Sequence, residues 1–135
     1  MSARVLLYEP HCTEDRRSGS SLRRAEFELV ECSDIRSLLE QVVQGHAGAL
    51  VFALCDEHEE DLGGLRLIRR AAPDLPLVLL VEDESLAARR ELQNLNPIYY
   101  AVCPPEPAEL LEAVRAAVLK SARPRTTAAR RAHGA

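Results

Sequence analysis

The stretch "ALVFALCDEHEEDLGGLRLIRRAAPDLPLVLLVE", Ala49 to Glu82, decides the fold. Two apolar runs of strand length, Ala49 to Leu54 and Leu77 to Val81, flank a segment in which Leu65, Ile68 and Ala72 recur at helical spacing. Strands that are apolar throughout and joined by a helix read as parallel neighbours hidden on both faces, with a right-handed crossover between them. The connecting loop places five carboxylates, Asp56, Glu57, Glu59, Glu60 and Asp61, within six residues. Such a run reads first as a solvated loop bordering a cleft. The alternative is a docking surface for a basic partner or for the chain's own arginine tail.

Outward from this unit the alternation continues. "RVLLY" (Arg4 to Tyr8), "FELVEC" (Phe27 to Cys32) and "YYAV" (Tyr99 to Val102) are further strand-length runs. Ile35, Leu38, Leu39, Val42 and Val43 follow Ser33 and Asp34, residues suited to capping a helix, and predict one apolar helical face. Leu110, Leu111, Val114, Ala117 and Val118 do the same behind Pro107, which suits a first turn. Two helices are less well marked. The first must lie within "TEDRRSGSSLRRA", whose only large apolar residue is Leu22, and should be short or partly loop. In "SLAARRELQNLN", Leu86, Leu92 and Leu95 make no clean stripe.

A chain of 135 residues with 47% hydrophobic content is the size of one compact domain. We expect that domain to span residues 1–120, followed by a disordered basic tail over 121–135, where no apolar residue exceeds alanine. Charge divides the same way: residues 1–119 carry all 21 acids, whereas Lys120 to Ala135 holds five basic residues and none. An acidic body argues against a nucleic-acid groove. A short basic tail without aromatics has no means of reading base sequence; it reads first as a solvated terminus, and otherwise as one that touches acidic partners, nucleic acid or anionic lipid through salt-sensitive contacts. No run is long enough for a membrane span, and "MSARVLLYEP" does not resemble a secretion signal, so a cytoplasmic protein is expected. In that compartment Cys12, Cys32, Cys55 and Cys103 should be thiols.

In open parallel sheets, ligands sit beyond the carboxyl ends of the strands. Those ends carry Glu9 and Pro10, Cys55 and Asp56, Val81 and Glu82, and Cys103 and Pro104. With "GLRLIRR" after an acidic loop, the proline-led "LPLVLLV" and the block "YYAVCPPEPAELLEAVRAAV", the chain from Arg4 to about Lys120 resembles the receiver domain of bacterial response regulators. The resemblance implies an α/β, flavodoxin-like fold: a five-stranded parallel sheet in the order 2-1-3-4-5 with helices on both faces. It also implies phosphoryl transfer to an aspartate in two-component signal transduction.

Carried across residue by residue, the family's site is depleted. Asp56 falls on the phosphoacceptor. The two acids ending the first strand fall on Glu9 and Pro10, so one carboxylate, usually a magnesium ligand, is gone. The Ser or Thr ending the fourth strand falls on Val81, which Glu82 follows, and the lysine near the end of the fifth falls on Cys103. The aromatic switch position falls on Tyr100 and is kept. Phosphoryl transfer depends on positioning and on neutralising the equatorial oxygens, and each lost donor costs roughly 10²-fold or more. The resemblance therefore implies a degenerate pseudo-receiver that is not an enzyme, needs no cofactor, and acts by protein-protein interaction. Its partner, or a second copy, would meet the face of the fourth helix, fifth strand and fifth helix through Arg89, Arg90, Tyr99, Tyr100, Glu109 and Glu112.

Two other readings remain. One is a single-domain response regulator slowly phosphorylated on Asp56, with magnesium held by Glu9 and Asp56. The other is a thiol-based metal or redox sensor: His11, Cys12, Cys55, His58 and Cys103 map to one edge, with Cys55 and His58 at a spacing suited to a zinc pair. Against it, no second paired motif exists, and His11 and Cys12, as neighbours, are not expected both to turn inward. Reduced thiols packed at strand ends are the simpler account.

Overall fold

In a computed structural model the described residues are 3–12, 18–23, 25–55, 60–82, 86–103 and 105–122, with side chains excluded at 20, 86–89 and 122. Five parallel strands, β1 (Arg4–Tyr8), β2 (Glu28–Cys32), β3 (Ala47–Leu54), β4 (Leu77–Val81) and β5 (Tyr99–Val102), form one sheet in the order β2-β1-β3-β4-β5. The helices between and after them are α1 (Gly19–Arg23), α2 (Ile35–Gln44), α3 (Glu60–Ala71), α4 (Leu86–Gln93) and α5 (Pro107–Ala122). This is the expected flavodoxin-like topology.

Alternation along the strands sorts the core into two layers. Leu6, Tyr8, Leu50, Phe52, Leu77, Leu79 and Val81 face one cluster, completed by Leu38 and Val42 of α2, Leu65 and Ile68 of α3, and Leu92 of α4. Val5, Leu7, Ala49, Val51, Ala53, Val78 and Leu80 face the other, completed by Leu22 of α1 and by Leu110, Val114 and Ala117 of α5. β4 is buried along its whole length. At roughly 1.5–3 kcal/mol for each large apolar side chain removed from water, this strand is a main source of cohesion.

Local chemistry sets the element ends. Asp34 caps α2 by accepting from Ser37 N at 2.7 Å, and Gly45 closes it in the left-handed conformation at φ 77°. Gly48 sits where the β1/β3 register slips, next to the Arg4 carbonyl. Arg69, near the end of α3, donates from Nε to the Leu95 carbonyl at 2.7 Å and from Nη2 to the Asn96 carbonyl at 3.0 Å, and also reaches the Ala72 and Leu75 carbonyls. It thereby fastens the turn before β5, in which Asn96 takes φ 56°.

Several sequence expectations are corrected in detail. Val43 is 71% exposed, so the apolar face of α2 is narrower than the run of five apolar residues implied. β3 begins at Ala47, earlier than expected, and β2 begins at Glu28 rather than Phe27. The α4 segment lacked a stripe for a reason: its buried Leu92 is followed by Leu95, which packs from the turn beyond the helix. α5 runs to Ala122, and the rest of the basic tail lies outside the described residues.

Candidate functional site

β1 delivers Tyr8 and Glu9 to the carboxyl edge of the sheet. Glu9 is only 6% exposed, and both its oxygens are engaged. Ser18 N donates to Oε1 at 3.0 Å and Oε2 at 2.8 Å, and Gly19 N donates to Oε1 at 3.0 Å. The carboxylate closes the start of α1, satisfying amides that a helix's first turn leaves without partners. A Cβ at Gly19 would stand 2.8 Å from Glu31 Oε1, so the Glu31 side chain would have to shift to admit one. Pro10 beside it has no side-chain oxygen. Of the magnesium ligands that the fold implies, the described residues thus supply a single carboxylate already turned to backbone amides. Asp56 and His58, expected as the phosphoacceptor position and as one thiol-sensor ligand, lie outside the described residues.

A cavity of about 230 Å³ adjoins Glu9 on the β2 side, lined in part by Arg23 and Glu31. Those two side chains form an ion pair with each other. Among the described residues that line it, Glu9 and Glu31 outnumber Arg23, so these offer an anion no surplus positive charge.

Asp61, in the first turn of α3, is buried at 3% exposure. Tyr8 donates its hydroxyl to Asp61 Oδ1 at 2.9 Å and stacks on Phe52 with ring centroids 4.7 Å apart. His11 Nε2 lies 3.3 Å from Asp61 Oδ2. Burial, reinforced by the hydrogen bond to Asp61, raises the Tyr8 phenol well above its ordinary range. The acidic run is therefore not uniformly solvated: its last member is an interior acceptor. A sequence signal existed, since Asp61, Leu65 and Ile68 share one helical face.

Val81 is buried in the first core layer, and Cys103, whose N–H donates to the Val81 carbonyl at 2.7 Å, is buried in the second. Glu82 is exposed, its N–H bound to the Leu54 carbonyl at 3.1 Å. All four cysteines are thiols. Cys12 packs on the core layer that holds Cys103 and interacts with both Cys103 and Cys55. The hydrogen bond to Cys103, with burial, raises the Cys12 thiol far above its ordinary value; burial and the neighbouring Cys12 push Cys55 up to about 12. Cys12 packs with the α1/α5 layer, whereas His11 is exposed and only its Nε2 approaches Asp61, so the two neighbours do not both turn inward. Among the described residues no three His, Cys, Asp or Glu side chains are arranged to hold a metal ion.

On the face formed by α4, β5 and α5, Tyr99 donates to Glu109 Oε2 at 3.4 Å, while Arg90, Glu109 and Glu112 are exposed. Tyr100 turns the other way and packs against the first core layer with its hydroxyl buried. Arg89 belongs to α4, but its side chain is not among those described. Ile98 and Val102, which the sequence reading did not single out, are 36% and 39% exposed and add apolar surface there. Among the described residues no helix is long and apolar enough to cross a membrane.

No protein-family model and no curated protein matches the chain. Solved structures do. A CheY-like response regulator receiver domain protein from Methanospirillum hungatei JF-1 superposes with a TM-score of 0.75 at 16% identity, covering 90% of this chain and 97% of that one. The signal receiver domain of an HD domain-containing protein from Pseudomonas fluorescens Pf-5 gives 0.76 at 20% identity, covering 90% and 98%. The chemotaxis protein CheY4 of Vibrio cholerae gives 0.72 at 16%, covering 87% and 99%. The likeness extends over nearly the whole length of each, and it is a likeness of fold.

Proposed function

We propose that this protein is a receiver-like signalling component that works without phosphorylation, by presenting its α4–β5–α5 face to a protein partner or to a second copy. A bacterial regulatory setting and a cytoplasmic location follow from the same reading. The observation that carries it is the disposition of Glu9. In a working receiver site a carboxylate at this position faces a divalent cation; here its oxygens accept from Ser18 N and Gly19 N, and the side chain is buried. Val81 and Cys103 stand where a hydroxyl and an ammonium would be needed, and each is packed into core rather than offering a donor to equatorial oxygens. On this reading no magnesium is required and Asp56 is not an acceptor in use.

What is left to act is surface. Arg90 and Glu112 provide mixed charge, Ile98 and Val102 exposed apolar area, and the Tyr99–Glu109 pair a polar centre. Interfaces of modest size combine these elements.

The test is an amide NMR titration with beryllofluoride and magnesium. The expected result is no change beyond that produced by fluoride and magnesium alone. Saturable shifts at Cys55, Val81 and Tyr100 would establish instead a slow phosphoacceptor.

A further inference from the structure

We propose that the cavity at the amino edge of the sheet, where the C-terminal ends of α2, α3 and α5 converge, is a docking groove for arginine, and that its occupant is the chain's own segment Arg123 to Arg125. The cavity measures about 350 Å³. Val42, Val43 and the cap Gly45 bring the end of α2 to it, Ala71 and Ala72 the end of α3, and Ser121 the last turn of α5. Ala47, the first residue of β3, also lines it, which places it at the opposite edge of the sheet from Glu9.

Two features of the groove fit an arginine side chain. Its walls are apolar: Val42, Ala47 and Leu75 line it, and Val43, 71% exposed, adds apolar area that the core leaves uncovered. An arginine can lay its methylene stem along such a surface while its guanidinium stays wet at the rim. The groove is also electronegative. Asp74 is the one charged residue among the described residues that line it, and the C-terminal end of a helix carries roughly half a negative charge. α2 has no basic residue in its last turn to offset this. α3 has Arg69 and Arg70 there and α5 has Lys120, but none of the three lines the groove. Arg69 acts on Asp74 electrostatically, yet its guanidinium donates to the carbonyls of Leu95 and Asn96.

The chain itself brings the matching chemistry to the rim. Residues 123–135 follow α5 directly and contain Arg123, Arg125, Arg130 and Arg131 but no acid. Pro124 disfavours a further helical turn and biases the residue before it toward an extended path out of α5. At no more than about 3.6 Å per residue, Arg125 stays within roughly 14 Å of Ser121, and Ser121 and Asp74 line the same cavity. A tether this short gives an effective concentration in the millimolar range, so a modest intrinsic affinity suffices for occupancy. A competing ligand would need the same chemistry, a guanidinium on an apolar stem.

The experiment is NMR on the full chain. The expected results at low salt are nuclear Overhauser cross-peaks between the Val43 methyl protons and the δ-methylene protons of Arg123 or Arg125, with backbone order parameters above about 0.6 at both arginines. In about 1 M salt, where the screening length is roughly 3 Å, the cross-peaks should be lost. Asp74→Asn should weaken them at low salt, and replacing Arg123 and Arg125 together by serine should shift the amide signals of Val43, Gly45 and Leu75. Absence of the Val43 cross-peaks at low salt overturns the proposal. So do tail cross-peaks to residues 56–61 in their place, contacts that a mixed-labelled sample assigns to a second copy, or a contact indifferent to both salt and Asp74→Asn. If a variant fails to fold, the salt series on the wild-type chain decides alone.

Discussion

Glu9→Ala removes a buried carboxylate whose oxygens accept three backbone contacts, two from Ser18 N at 2.8 and 3.0 Å and one from Gly19 N at 3.0 Å. Hydrogen bonds to a charged group contribute roughly 1.5–3 kcal/mol, and a buried amide left without an acceptor costs roughly 1–3 kcal/mol. Two amides are stranded, and water entering the vacated space recovers part of the loss, so about 3 kcal/mol is expected. For a domain of this size, with an m-value of roughly 1.5–2 kcal/mol per molar urea, the midpoint should fall by about 1.5–2 M. Glu9→Gln keeps one acceptor oxygen and should lose about half as much. The sign is the discriminating feature. A carboxylate held toward the Asp56 position for a cation would, without magnesium, suffer like-charge repulsion, and its removal would raise the midpoint. Equilibrium unfolding in magnesium-free buffer decides. A Glu9→Ala midpoint equal to or above the wild type refutes the capping role, and with it the main support for a phosphorylation-independent protein.

Three further outcomes are expected. Arg69→Met should cost about 2–3 kcal/mol, because the carbonyls of Leu95 and Asn96 lose their donor; hydrogen exchange should quicken at residues 94–98, and Arg69→Lys should restore only part, since an ammonium cannot span the same fork. Gly64→Ala should destabilise by about 1–3 kcal/mol, as its Cβ would stand 2.8 Å from Ile35 Cδ1 and 2.9 Å from Ile35 Cγ2, whereas Gly63→Ala, with nothing within 4 Å, should stabilise by up to about 1 kcal/mol in thermal unfolding. Tyr8 has a folded-state pKa raised by burial and by Asp61, so its stabilising contribution is complete below the ordinary phenol value of about 10 and is lost as pH climbs above that toward the folded-state value. Tyr8→Phe should be less stable at neutral pH by about 1–3 kcal/mol and should show a shallower loss across that alkaline range in pH-dependent urea unfolding.

The frame of the molecule was legible because its strands are pure cases. Leu77 to Val81 is apolar at every position and buried at every position, and β1 and β5 also start and stop where their apolar runs do. Helix-capping chemistry was equally direct at Asp34 and Pro107. The site was harder to read, for two physical reasons. Asp61 was counted with its acidic neighbours as solvated, although its spacing to Leu65 and Ile68 puts it on the buried side of α3, where its Oδ1 accepts from Tyr8. The amide partners of Glu9 were not legible, because a carboxylate's partner cannot be inferred when it lies nine residues away, at Ser18.

The strand order also shapes how the chain must mature during synthesis. β1 is made first but lies between β2 and β3, so after β2 emerges one flank of β1 stays open until residues 47–54 leave the ribosome. Over that interval an unsatisfied row of amides and carbonyls, beside Val5 and Leu7, can template pairing between neighbouring nascent chains. Slow decoding anywhere between Cys32 and Ala47 would lengthen that exposure, whereas the same delay after β4 leaves only the far margin of the sheet waiting for β5.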